Sequence, residues 1–361
     1  MITVDIANVQ KNLSVNAQTL IVGVASSVRT INNEFGVFAF FDGSTMQGRI
    51  TIDPTGHVKA WRGSSTVLGT SASAISFGPF HYIECKYKVD PSAGIVEVKV
   101  DGVVVLSLTS QNTRSSSNSY SNGVILAALS TGAGTTVWWD DFYICDDTTS
   151  ADNTYLGDVK ILCSLPTANG STNNYTNAWA SWAATTVMVV GQQYKDANGN
   201  IQRVTSVTGD AKTGGSAPTW ATAGGSPTTD NHVTTVVVGS GANPGAANWM
   251  AVSEIPPDDS NSYVTDATPG DIDRYTFASV AGSQVKAVVV NMRADKDDSG
   301  TRTIRAACKS GSTTADSGTD LPLTLGSYAD LQGIFPTDPN TGIAWTISGV
   351  NAAEFGVKTT A

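Results

Sequence analysis

At 361 residues the chain has room for two or three domains of ~100–200 residues each. Charged residues make up only 14%, against roughly 25% in an average soluble domain, and the net charge is −10. That balance argues against nucleic acid or an anionic membrane as partner, and no run approaches the ~18 apolar residues of a membrane-inserted span.

Met1-Ile2-Thr3-Val4-Asp5 has neither a basic region nor an apolar one, which predicts no secretory signal and folding in a cytosol. Residues 19–28 and 35–41 read as apolar strands, the second closed by Asp42-Gly43. Residues 48–53, 57–62 and the pair Val67-Leu68 follow, separated by Pro54-Thr55-Gly56 and Gly63-Ser64-Ser65. From Tyr82 to Val89 apolar and polar residues alternate, setting Ile83, Cys85, Tyr87 and Val89 inward and Glu84, Lys86 and Lys88 outward. A turn at Asp90-Pro91-Ser92-Ala93-Gly94 leads to a strand with Val96, Val98 and Val100 inward and Glu97 and Lys99 outward. Asp101-Gly102 is a strong hairpin signal and returns the chain into residues 103–108, completing a meander. The Ser/Asn-rich residues 111–121 read as an exposed loop, and residues 123–129 and 136–145 complete two sheets with the spacing of an antiparallel sandwich. Residues 146–153 form a polar linker.

Beyond the linker, residues 156–165 read as the opening strand of a second domain. Further strands are predicted at 273–278, 284–294, 301–307 and 328–335, the second of them apolar enough for burial on both faces. One helical turn is predicted within 350–357. Residues 179–240 differ in character, with Trp179, Trp182 and Trp220 among many Gly and Thr.

Two resemblances follow from these residues. The D-P-x-x-G turn, the V-x-V-x-V-D-G hairpin and the aromatic-acidic strand 137–144 resemble a concanavalin A-like (laminin G-like) jelly roll over residues 1–147. The run W-x-x-W, V-x-x-G-Q, D-x-N-G-N-x-Q-x-V-T, G-G-S-A-P-T-W resembles a small β module inserted in bacteriophage tail proteins, and segments near 248–271 and 339–357 resemble the same group. Together they imply an all-β chain: an antiparallel jelly-roll sandwich, then a second β-sandwich (154–178 and 241–361) interrupted by a small inserted β module (179–240).

The residues that could carry chemistry are few. Jelly-roll glycanases resembling laminarinases use an E-x-D-x-x-E run; the five glutamates, Glu34, Glu84, Glu97, Glu254 and Glu354, form none, and a retaining glycosidase needs two carboxylates about 5–5.5 Å apart. Asp140 and Asp141 are adjacent and point to opposite faces of a strand. There is no G-x-S-x-G and no phosphate loop, and His57 and His81 read as surface or core fillers. Cys85, Cys145, Cys163 and Cys308 lack metal-ligand spacing and read as small buried residues in a reducing compartment. Asp258-Asp259 and residues 295–300 offer oxygen ligands for Ca²⁺ but lack the spacing of a calcium loop, which favours solvated turns. No enzyme activity, cofactor or metal is therefore expected.

Two functions remain. The resemblance implies an oligomeric structural protein of a phage virion, in a tail, baseplate or fibre, or as a capsid decoration. It would be made in the host cytoplasm and partnered by its own copies and other virion proteins. The alternative is a carbohydrate-binding module for host-surface polysaccharide, with Trp179, Trp182 and Trp220 as stacking platforms. Residues 211–238 carry little charge besides Lys212 and Asp230, so a contact surface is predicted in the inserted module, centred on Trp220.

Overall fold

Alternating side chains need two apolar faces turned towards each other, and the first part of the chain supplies them. A computed structural model describes residues 9–126, 136–148, 152–240, 248–255 and 257–361. The chain divides into two compact units, Met1–Ile161 and Leu162–Ala361.

In the first unit one sheet has six strands in the order β1 (Val9–Ala17), β10 (Ser121–Leu126), β3 (Phe35–Asp42), β4 (Thr45–Ile52), β5 (His57–Arg62) and β6 (Thr66–Ala74). The other has five, in the order β11 (Thr136–Asp146), β2 (Thr19–Thr30), β7 (His81–Lys88), β8 (Gly94–Val100) and β9 (Val103–Gln111). The predicted meander is β7–β9, all antiparallel, and its tight turn holds Asp101 and Gly102 at φ 51° and 78°, the geometry of a type I′ turn. Val22, Val24, Ile83, Cys85, Tyr87, Val96 and Val98 of one sheet meet Phe38, Phe40, Ile50, Ile52, Val58 and Ala60 of the other in a single core. Tyr87 stacks on Phe40 with ring centroids 4.7 Å apart, and its hydroxyl sits among the carbonyls of Gln47, Trp61 and Thr113. Strand β1 escaped prediction because its residues are largely exposed and polar. Of the expected strand 123–129, residues 127–129 lie outside the described residues, as do residues 1–5 of the opening, 149–151 of the linker and 241–247 of the second domain.

The loop after β9 differs from the exposed loop expected at 111–121. Fully buried Gln47 reaches it: its Nε2 lies 2.8 Å from Ser116 Oγ, 2.9 Å from Asn118 O and 3.0 Å from Tyr120 O, while its Oε1 accepts from Ser115 N and Ser116 N. Thr113 is also buried, donating to Lys88 O at 2.6 Å. The periodicity is absent because side-chain bonds, not a ladder, hold this segment.

Residues 156–165 form no strand. Residues 155–161 cross the outer face of the five-stranded sheet instead, with Tyr155, Leu156 and Val159 packed on Ile21, Ala25, Tyr82 and Tyr143. Glu84, expected outward and solvated, is 2% exposed and accepts from Tyr143 Oη at 2.6 Å and Gly157 N at 2.9 Å. Gly23 makes room: a Cβ there would lie 2.2 Å from the Tyr143 ring. Asp141, in the left-handed region at φ 53° beside a bulge in the β11–β2 ladder, accepts from Lys160 Nζ at 2.7 Å and Ile161 N at 2.8 Å. The Tyr155 ring lies under the ammonium groups of Lys86 and Lys99.

The second unit holds β12 (Pro166–Asn173), β13 (Thr176–Trp179), β14 (Gln193–Lys195), β15 (Asn200–Val207), β16 (Pro227–Asp230), β17 (Val233–Ser240), β18 (Ser262–Thr265), β19 (Ile272–Phe277), β20 (Val288–Ala294), β21 (Thr303–Ser310), β22 (Thr313–Asp316), β23 (Leu321–Pro322), β24 (Ala329–Phe335), helix α1 (Ile347–Ala352) and β25 (Glu354–Thr359). One sheet runs β12-β19-β25-β21-β22, with β23 beside β21. The β20–β24 ribbon lays Val288, Val290, Met292 and Phe335 over a core of Cys308, Trp345 and Phe355. Only one face of β20 is covered, contrary to the expectation of burial on both: Val289 is 45% exposed. The helical turn expected within 350–357 is α1, capped by Thr346 Oγ1 accepting from Gly349 N, and the chain is already a strand at Glu354. Strands β14-β15-β17-β16 form a separate four-stranded sheet within the stretch read as inserted.

Candidate functional site

A dense, partly exposed polar constellation lies on the outward row of the β4–β5 hairpin. Arg49, Thr51 and Asp53 alternate with core residues Ile50 and Ile52, and His57, Lys59 and Trp61 alternate with Val58 and Ala60; Thr51, though on the outer row, is itself buried at 2% exposure. The register sets Arg49 opposite Trp61 and Thr51 opposite Lys59. The turn between them is fastened by Asp53, whose Oδ1 accepts from Thr55 Oγ1 at 2.6 Å, Thr55 N at 2.9 Å and His57 N at 3.1 Å.

Glu34, from the loop before β3, completes the row. Trp61 Nε1 donates to Thr51 Oγ1 at 2.8 Å, and Thr51 Oγ1 donates in turn to Glu34 Oε1 at 2.7 Å. Lys59 Nζ bonds Glu34 Oε2 at 2.8 Å and lies 3.4 Å from Asp53 Oδ2. The Arg49 guanidinium carbon stands 4.5 Å from the Trp61 ring centroid, with Nη2 donating to Ser64 O at 3.0 Å. His57 Nδ1 lies 2.9 Å from Thr55 Oγ1. Burial works to raise the Asp53 pKa, but hydrogen bonds from Thr55, His57 and Lys59 outweigh it and hold the carboxyl at about 2. The bond to Glu34 lifts the Lys59 ammonium above its ordinary value against the effect of burial. Each residue in the row thus fixes its neighbour's rotamer, which makes a pre-organised surface.

The same sheet face continues across β3 into an apolar cluster of Ala39, Phe41, Met46 and Ile125. Next to it is a depression of about 560 Å³ lined by Gln10, Asn12, Phe41, Ser44, Asn122 and Ile125 among others. An aromatic surface flanked by planar amide, carboxylate and guanidinium groups is what a pyranose requires: C–H bonds against a ring, hydroxyls paired in directed hydrogen bonds.

The tryptophans singled out in the sequence are placed differently. Trp220, expected at the centre of an open contact surface, is 7% exposed. It packs with Met188, Tyr194, Val204 and Val233 because the four-stranded sheet has few other large side chains to fill its core. Trp182 is half-buried, edge-on to Trp220 at 6.3 Å, with Nε1 donating to Asp230 Oδ2 at 2.7 Å. Trp179 sits half-buried on β13, opposite Ser262. Trp182 and Trp220 share a core; the three do not form one platform. Sequence reasoning missed Arg49, Thr51, Lys59 and Trp61, and treated His57 as filler. The signal was available in R-I-T-I-D-P-T-G-H-V-K-A-W, a hairpin whose two outward rows can be read off by alternation.

The acidic loops are engaged within the chain. Asp258 accepts from Ser262 and Gln193, Asp259 pairs with Arg293, and Asp298 pairs with Arg302. Among the described residues no three His, Cys, Asp or Glu side chains converge as metal ligands. All four cysteines are unpaired; Cys163 is exposed rather than buried, while burial pushes the Cys145 and Cys308 thiols up to about 12.

No protein-family model matches the chain, and no curated protein matches its sequence. Solved structures are similar over little more than a third of it. A sialidase aligns with 39% of this chain at 10% identity and TM-score 0.30; the aligned part is 14% of the sialidase's length. An alginate lyase aligns with 38% of the chain and 72% of its own length, at 10% identity and TM-score 0.30. A homodimeric agglutinin from chicken liver aligns over its whole length with 38% of the chain, at 12% identity and TM-score 0.27. The assignment of antiparallel β-sandwiches rests on the sheets themselves, and the phage-tail resemblance rests on the sequence motifs alone.

Proposed function

We propose that the first unit is a carbohydrate-binding module and that the outer face of its six-stranded sheet is the binding surface. The observation that carries the proposal is the row Arg49, Thr51, Lys59 and Trp61 with Glu34. It places an indole among directed polar groups, next to an amide-lined depression on the same face. The wider setting implied by the phage-tail motifs is part of the proposal: a virion presenting copies of this sandwich to a host-surface polysaccharide, with the second unit serving assembly.

The reading is of binding without turnover. Asp53, held at about 2, has no proton to give at neutral pH, and both oxygens of Glu34 are engaged by Thr51 and Lys59. Incubation with polysaccharides that bind should release no oligosaccharide.

The test is a glycan array, host lipopolysaccharide included, probed with the full chain and with Trp61→Ala. Wild type should bind a restricted set of glycans, and Trp61→Ala should weaken that binding by roughly 30-fold, about 2 kcal/mol. Binding that survives Trp61→Ala unchanged would remove this face from consideration.

A further inference from the structure

We infer that the sugar preferred by this face carries a carboxylate, seated on Arg49 beside Trp61; the inference rests on the glycan reading above. It comes from counting which polar atoms of the row are already in use. Glu34 Oε1 accepts from Thr51 and Oε2 from Lys59. Asp53 Oδ1 accepts from Thr55 and His57, and Oδ2 faces Lys59. Each Glu34 oxygen keeps a further lone pair for a sugar hydroxyl, so the carboxylates of the row suit any pyranose, and only its cations can select for charge.

The cations divide unequally. Lys59 is shared by two carboxylates, whereas the charge of Arg49 faces no carboxylate within ion-pair distance among the described residues. Among the described residues its one hydrogen bond runs from Nη2 to the Ser64 carbonyl. Nε is buried without a partner, so the donors left to a ligand are those of Nη1 and the remaining N–H of Nη2. These form the end of a planar fork that matches a carboxylate in two parallel hydrogen bonds. Stacking on Trp61 holds the guanidinium plane in place before any ligand arrives, lowering the ordering cost of binding. The net charge of −10 gives no general attraction for polyanions, so a preference for acids needs a local cation such as Arg49.

The test is calorimetric titration of the full chain with galacturonic and glucuronic acid tetrasaccharides. Each is paired with the neutral tetrasaccharide obtained by reducing its carboxyl groups. One acid should bind roughly 10-fold or more tighter than its neutral counterpart. Arg49→Gln should abolish the affinity ratio between acid and neutral sugar, whatever it does to the neutral sugar's own affinity; Arg49→Lys should restore little of that ratio, since an ammonium lacks the fork. Trp61→Ala should weaken both members. Thermal melts establish that each variant is folded; should Arg49→Gln not fold, Arg49→Lys carries the comparison. Equal or tighter binding of the neutral member, still dependent on Trp61, would overturn this inference and leave the glycan reading standing. An acid preference that survives Arg49→Gln and Arg49→Lys would overturn it too. Failure of either member of either pair to bind, together with an empty array, would remove the glycan reading itself.

Discussion

On the five-stranded sheet of the first unit, the outward row of β7 and β8 ends beneath the chain's own residues 155–161. On the six-stranded sheet, the outward row of β4 and β5 stays partly exposed. The reason lies in where each row finds its hydrogen-bond partners. Glu84 relies on groups from elsewhere, the Tyr143 hydroxyl and the Gly157 amide, so it is satisfied only when that segment is in place. Glu34, Thr51, Lys59 and Trp61 satisfy one another along their own face. A row that is self-sufficient needs no cover, and that leaves it available to a ligand.

The largest expected effect tests the distinction on tryptophans. Trp220→Ala opens a cavity in the small core of Met188, Tyr194, Val204 and Val233 and should cost about 3–5 kcal/mol of stability. Chemical denaturation should show that loss in the second unit, with glycan binding untouched where that unit stays folded. If Trp220→Ala leaves stability intact and abolishes binding, the contrast between a core tryptophan and one on a sheet face is inverted.

Next in size is removal of the covered carboxylate. Glu84→Ala strands the Tyr143 hydroxyl and the Gly157 amide in a buried place, at about 2–3 kcal/mol, or roughly 5–10 °C in Tm for a unit of this size. Trypsin should also cut faster after Lys160, whose ion pair with Asp141 lies in the loosened segment. An unchanged melt and unchanged cleavage would mean that residues 155–161 do not cover the sheet.

A pH-dependent effect, smaller within any one pH unit, separates satisfied from unsatisfied buried carboxylates. Glu254 Oε2 is buried with no partner, and burial, then the nearby charge of Asp258, pushes this carboxyl up to about 8 from 4.5. Between those values the unfolded chain has released the proton that the folded chain keeps, so raising the pH lowers stability. The loss is at most about 1.4 kcal/mol per pH unit, less to the extent that Glu254 meets water. Urea midpoints of the second unit should fall from about pH 5 to 8, and Glu254→Gln should flatten that slope. A slope untouched by the substitution would place the titrating group elsewhere.

How much of this was legible in the sequence differs between the same two faces. The strands β7 to β9 and the Asp101-Gly102 turn were plain, because period-two alternation and turn chemistry are local properties. The row on β4 and β5 was equally readable, but a search for exposed tryptophans in the inserted stretch passed over Trp61. Glu34 was not readable, since it reaches Thr51 and Lys59 across a loop. Nor was the covering of Glu84: nothing within residues 82–89 says that residues 155–161 come back to lie on it. The anchoring of residues 111–121 by Gln47 is hidden for the same reason, a long-range side-chain bond with no local period.

The most direct measurement is a hydrogen-exchange footprint of the full chain with and without an array-positive oligosaccharide at saturating concentration. Slowed exchange is expected in residues 48–62 of the β4–β5 hairpin and in the neighbouring strands β3 and β6, with residues 82–100 and 193–240 unchanged. Protection confined to residues 179–240, with the hairpin unaffected, would contradict the account and return the binding surface to the inserted module.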